Sequence, residues 1–308
     1  MAGQGNDAPV KKMPVPDNST RELLAHAQAR VIFGWLTAPE ALPMLTTEGD
    51  ADEAELLERH GAMTAAVDAR PKLANTPALV KEQGRWGLKE AAKRADLQNA
   101  FRGADWRLAA VDLSKVLAFQ KTVRLPGLDE RILEAKEDPK ALLELCLPSE
   151  EPEVPLVWAP DADGKGYTLS SFNPNFRVYE VMPGTATVPS MPGSEPINRN
   201  AIFVTYGAPP SYLQVASYRG RFFLRDGYHR AVALLRAGVN EVPCVLVKAT
   251  NLSQVFTAAG NFLTEDVMMG ERPPFVKDFV DDNVSADGDM IEIRRVIRIR
   301  GDEFVLPS

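Results

Sequence analysis

A chain of 308 residues can enclose one large core or two smaller domains. With 45% hydrophobic and 25% charged residues, a folded globule is expected. A formal net charge of −7 and a pI near 5.2 weigh against a dedicated nucleic-acid binder, whose footprint is a basic face. Two cysteines, Cys146 and Cys244, stand apart without metal-ligand spacing, so neither a disulfide framework nor a zinc site is implied. The polar start of the chain has no signal-peptide apolar core, and Val31–Leu36 is too short to span a bilayer. A cytoplasmic protein without a membrane partner is expected.

Residues 1–18 are polar and Pro-rich and read as a flexible tail. Residues 19–105 read as helical. Ser19 or Thr20 would cap a helix carrying Leu23, Leu24, Ala27, Val31 and Leu36. A second helix starts near Asp50–Asp52, carries Leu56, Leu57, Ala62, Met63 and Ala66, and stops at Pro71. Two more are expected over 77–83 and 88–101. His26 and His60 stand alone and read as surface or half-buried helix residues. This region is the candidate surface for a protein partner.

Residues 106–250 change pattern. A strand is expected at Leu108–Leu113, followed by a short turn and Val116–Phe119, then by an amphipathic stretch, Leu128–Leu147, broken at Pro139. Pro148–Pro155 reads as a linker. Val154–Trp158 and Tyr167–Phe172 flank Asp161–Gly166, which has hairpin-loop chemistry. Its Asp-x-Asp-Gly also opens a calcium-loop pattern, but the twelfth position is Phe172 where a glutamate is needed. Strands at Phe176–Val181, Ala201–Tyr206, Leu213–Tyr218 and Arg221–Leu224 continue the series. A helix over Tyr228–Ala237 ends on Gly238, and Val242–Val247 is a buried strand. The fold class is therefore α+β: a helical N-terminal region, a mixed β-sheet domain and a small C-terminal extension over 251–308. The extension holds a helix near Leu252–Leu263, an acidic loop over Asp281–Asp289 and a terminal strand over Met290–Arg300. Arg294, Arg295, Arg298 and Arg300 in that strand read as a solvated face guarding an edge.

The segment Phe222–Leu235 carries the strongest signal. An apolar strand runs into Asp226-Gly227, and a helix opens at once with Tyr228-His229-Arg230. The first turn of a helix leaves amide donors without intrahelical partners and carries partial positive charge. Glycine admits a ligand close to the backbone, and His with Arg adds donors that suit phosphate. The bland alternative is that Asp226 caps the helix and Arg230 pairs with a carboxylate. Ser211 has no nucleophile-elbow glycines around it, so a serine hydrolase has no support.

The run Phe223–Ala231, followed by Leu234-Leu235, Gly238 and Val242-Pro243-Cys244-Val245, resembles the ParB/sulfiredoxin superfamily. The resemblance implies a compact α+β nucleotide-binding domain of bacterial type over 106–250. Val111–Lys121 looks like the strand and loop that open such domains, which implies that Gln120 and Lys121 lie beside the nucleotide phosphates. In this picture Mg²⁺-bound ATP or CTP meets Gly227, Tyr228, Arg225 and Arg230, with Asp226 helping to position Mg²⁺ and His229 donating to the γ-phosphate or leaving oxygen. No metal ligand of the protein's own is assigned. The chain departs from sulfiredoxins in having Tyr228 where their reactive cysteine stands, and a phenol cannot supply the thiolate that sulfinic-acid reduction needs. It departs from partitioning proteins in lacking a helix-turn-helix after Val247. Superfamily small-molecule kinases with an Asp-Gly-His-His-Arg-like turn come nearest. The reading is a nucleotide- or phosphate-binding protein, with Mg-dependent NTP hydrolysis or phosphoryl transfer open. Its alternatives are a non-catalytic interaction module and a nucleic-acid-binding relative that uses the arginine strand.

Overall fold

The computed structural model describes residues 26–45, 53–73, 78–81, 84–124, 130–151, 156–173, 175–188, 195–256, 262–291 and 295–302. In chain order the elements are β1 (His26–Val31), α1 (Ala38–Leu45), α2 (Glu53–Asp68), β2 (Leu79–Val80), α3 (Leu88–Ala91), α4 (Ala95–Ala100), β3 (Trp106–Asp112) and β4 (Thr122–Arg124). Next come α5 (Glu130–Glu137), α6 (Pro139–Cys146), β5 (Val157–Pro160), β6 (Gly166–Ser171), β7 (Arg177–Val188), β8 (Ile197–Gly207) and β9 (Gln214–Tyr218). The chain continues with β10 (Arg221–Asp226), α7 (Tyr228–Arg236), β11 (Glu241–Lys248), α8 (Glu265–Met269), β12 (Ala286–Ile291) and β13 (Arg295–Arg300). The fold is mixed α+β, with several small sheets.

Two compact units emerge. One takes His26–Glu150 and Pro210–Ile291; the other takes Glu151–Pro209 and the segment from Glu292 onward. This division differs from the sequence-based segments 19–105, 106–250 and 251–308. Pairing across long sequence separations decides it: β13 joins β6, and β12 joins β1.

The larger unit is built on a five-stranded sheet in the order β10-β9-β11-β3-β2. β9 and β10 form a hairpin across Arg219-Gly220, both residues in the left-handed region. α7 then returns the chain so that β11 lies parallel to β9 and antiparallel to β3. β11 is buried from Val242 to Val247, as a strand covered on both faces must be. α7 buries Ala231, Val232 and Leu234, the valine and leucine side chains contributing about 1.5–3 kcal/mol each. Its chain exit uses Gly238 at φ +81°. Pro139 stands at the first turn of α6, with Asp138 accepting from the Lys140 amide as its cap, so the expected break falls where proline has no amide to lose.

A second sheet, β12-β1-β4, is antiparallel throughout. The helix expected from Ser19 to Leu36 is corrected here: 26–31 is a strand, clamped between β12 and β4, and its beginning lies outside the described residues. Gly288 in β12 permits the packing, because a Cβ there would stand 2.7 Å from the Met44 carbonyl oxygen. The acidic loop expected over Asp281–Asp289 is also corrected, since Asp287 and Asp289 belong to β12. The single terminal strand Met290–Arg300 is two strands in two units. Leu79–Val80 is a short strand, where a helix over 77–83 is expected from the sequence. His60 is buried in α2, its Nε2 2.9 Å from the Leu36 carbonyl oxygen.

The smaller unit holds the antiparallel sheet β13-β6-β5 and the two-stranded ribbon β7–β8. In β13, Arg298 bonds Asp161 at 2.8 Å and Arg300 bonds Asp163 at 3.0 Å, so these arginines are paired within the β5–β6 turn region; Arg294 lies outside the described residues. Among the described residues no helix is long and apolar enough to cross a membrane.

Candidate functional site

The strand-to-helix turn forms as its sequence dictates. β10 ends at Asp226, Gly227 takes φ +90°, and α7 begins at Tyr228. Only glycine fits: beyond the unfavourable φ, a Cβ would stand 3.2 Å from Leu213 Cα. No side chain caps the first turn of α7. Asp226 Oδ1 accepts from the Gly227 amide at 2.7 Å and from no amide further into the helix. The first-turn amides of α7 are thus left to another partner.

The segment expected to face this turn does so. Leu117 runs beside β10, its amide donating to the Phe222 carbonyl at 2.8 Å while its own carbonyl accepts from Leu224 at 2.9 Å. Phe119 and Gln120 thereby reach Tyr228, whose hydroxyl oxygen accepts from the Phe119 amide at 2.9 Å and the Gln120 amide at 3.4 Å. Tyr228 is buried, packs edge-on against Phe119 and Phe279, and has its pKa pushed upward by that burial. It ties the two segments together through that hydroxyl.

The cations of the motif are held by the protein. Arg230 donates through Nη1 to the Leu145 carbonyl at 2.8 Å and through Nη2 to the Ser211 carbonyl and the Ser211 hydroxyl. Arg225 donates through Nε to the Gln254 carbonyl at 3.0 Å and through Nη1 to Gln214 Oε1 at 2.6 Å. Lys121 bonds Glu40 at 2.8 Å, and that bond, followed by those from the Thr37 amide and hydroxyl, lowers the Glu40 pKa to about 2. Gln120 is half-buried. His229 differs. It stands exposed in the first turn of α7, and desolvation, then the positive charges of Arg124 and Arg230, hold its pKa below the ordinary imidazole value.

Asp226 is the acidic centre. Its Oδ2 lies 3.4 Å from both Ser211 Oγ and Gln214 Nε2, and desolvation raises its pKa despite the nearby arginines. Ser211, Gln214, Gln254 and the Leu145 carbonyl complete a network that the motif alone does not disclose. Among the described residues no three His, Cys, Asp or Glu groups gather as a metal-binding set. Asp226 accepts from three protein donors. Cys146 and Cys244 are buried; burial pushes the Cys146 thiol up to about 12 and the Cys244 thiol upward too, so neither is a reactive thiolate. Residues 225–230 line neither of two clefts, of about 540 and 220 Å³, the first along β2 and β3 and the second reaching also to Phe222 and Leu246.

In comparisons with protein-family models, curated proteins and solved structures, this chain matches none of them.

Proposed function

We propose that the protein binds a phosphate-bearing small molecule at the turn between β10 and α7, without turning it over. The observation that carries this reading is the uncapped first turn of α7, opening from the left-handed Gly227 with His229 exposed beside it. Amides of a helix start and a neighbouring imidazole are donors suited to phosphate. The resemblance of Phe223–Ala231 and Val242–Val245 to the ParB/sulfiredoxin superfamily supports a nucleotide, with Mg²⁺-bound ATP or CTP as the forms to test. Binding without hydrolysis fits the engagement of Arg225, Arg230 and Lys121, because phosphoryl transfer relies on cations free to neutralise the moving charge.

That same engagement favours a second reading, a non-catalytic interaction module in which the motif is structural. Isothermal titration with Mg²⁺–ATP and Mg²⁺–CTP separates the two. Micromolar binding that weakens at least about tenfold in His229→Ala, an exposed and structurally tolerant change, is expected. Absence of binding by either nucleotide and by inorganic phosphate would leave the interaction module. Proton NMR adds a check: the His229 ring should titrate below the ordinary imidazole range in the free protein and shift upward when an anion binds.

A further inference from the structure

The five-stranded sheet has a second edge, away from the motif, where β3 is only partly covered. β2 pairs with Val111 and Ala110 and ends there. The amide of Lys248 donates to Asp105 at 2.8 Å and that of Leu113 to Asn240 at 2.8 Å, which turns the odd-numbered main-chain groups of β3 toward β11. Asp112 donates the other way, to Ala78 at 2.8 Å. By the same alternation, the N–H and C=O of Leu108 and Trp106 face outward beyond the end of β2. Among the described residues no main chain pairs with them on that side.

The 540 Å³ cleft lies against this edge. Leu79, Val80, Leu88 and Ala92 line it as apolar surface, and Lys89 and Arg107 add two exposed cations. Among the described residues no carboxylate lines it. Among the described residues neither cation has an ion-pair partner, in a chain whose net charge is −7. An open strand edge selects an extended backbone, an apolar lining selects alternate apolar side chains, and the cations select acidic ones.

We propose that this edge binds an extended segment of a partner protein as an added strand, one in which apolar residues alternate with polar ones that include Asp or Glu. A second copy of this chain is the poorer fit, because edge-to-edge pairing would bring two Arg107 and two Lys89 side chains to one seam. The site shares no residue with the β10–α7 turn, and stands or falls apart from phosphate binding.

The test uses the full chain and an array of immobilised decapeptides in which Val, Ile, Leu or Phe alternates with Asp, Glu or Thr, beside a matched array with Lys in place of the acids. Capture on the acidic array alone is expected. For captured sequences, fluorescence anisotropy should show at least about tenfold weaker binding by Arg107→Glu and by Lys89→Glu, both exposed positions. Hydrogen exchange should show new protection at the Leu108 amide on peptide addition, with the Ala109 amide, already directed toward β11, unchanged. No capture, equal capture on both arrays, or binding that leaves Leu108 unprotected would overturn the proposal. So would concentration-dependent dimerisation abolished by Arg107→Glu, which would give the edge to a second copy.

Discussion

At the scale of single residues, the motif is a structural knot as much as a binding turn. Tyr228→Phe keeps the ring and removes the acceptor of the buried Phe119 amide. It should lower stability by about 1–3 kcal/mol in urea denaturation, while leaving His229 exposed as before. Arg230→Ala strips donors from the Leu145 and Ser211 carbonyls, so a loss of about 2–4 kcal/mol is expected. A binding defect in that variant is interpretable only beside its melting curve, which is why His229 is the better probe. The Glu40–Lys121 pair sets an acid limit. With the folded pKa of Glu40 lowered to about 2, its contribution is present above pH 4.5 and fades as pH falls from 4.5 toward 2. Thermal melts across that range should show the wild type converging on Glu40→Gln, and a constant gap between them would contradict the pairing. None of these partners was legible beforehand. A backbone carbonyl acceptor such as that of Leu145 leaves no mark in composition or spacing, and Glu40 lies 81 residues from Lys121.

At the scale of elements, the strand–turn–helix–strand around Gly227 was readable because every part of it is locally specified. Gly227→Ala tests this. With φ +90° and a Cβ only 3.2 Å from Leu213 Cα, the substitution should cost more than about 1 kcal/mol, measured by chemical denaturation, whereas Gly61→Ala, in the exposed interior of α2 where an added Cβ meets nothing within 4 Å, should be neutral or stabilising. The α5–α6 break at Pro139 and the β5–β6 hairpin were legible for the same reason. β1 was not. The spacing of Ala27 and Val31 suits a helix, yet β12 and β4 supply ladder partners on both sides, and tertiary pairing overrides so weak a local preference. The division of the terminal arginine stretch into β12 and β13 likewise depends on which distant strand each half meets.

At the scale of the whole molecule, α+β composition could be read from the sequence, but the membership of the two units could not. Both draw on segments far apart in the chain. Their architectures predict unequal protection. β9, β11 and β3 sit inside a five-stranded sheet with a buried core, whereas β7 and β8 form a two-stranded ribbon that exposes Val181, Ile202 and Phe203. Amides of the ribbon should therefore exchange with deuterium at least about a hundredfold faster than those of β11; equal rates would mean that the ribbon is covered in solution. The pairing of β1 with β12 also has a consequence in time. His26–Val31 leaves the ribosome long before its partner Ala286–Ile291 is made. At about 5–20 residues per second the wait is tens of seconds, during which the nascent chain carries an unpaired strand edge. Any chain cut short before residue 286 keeps that edge open, so the second sheet closes only after translation has passed β12.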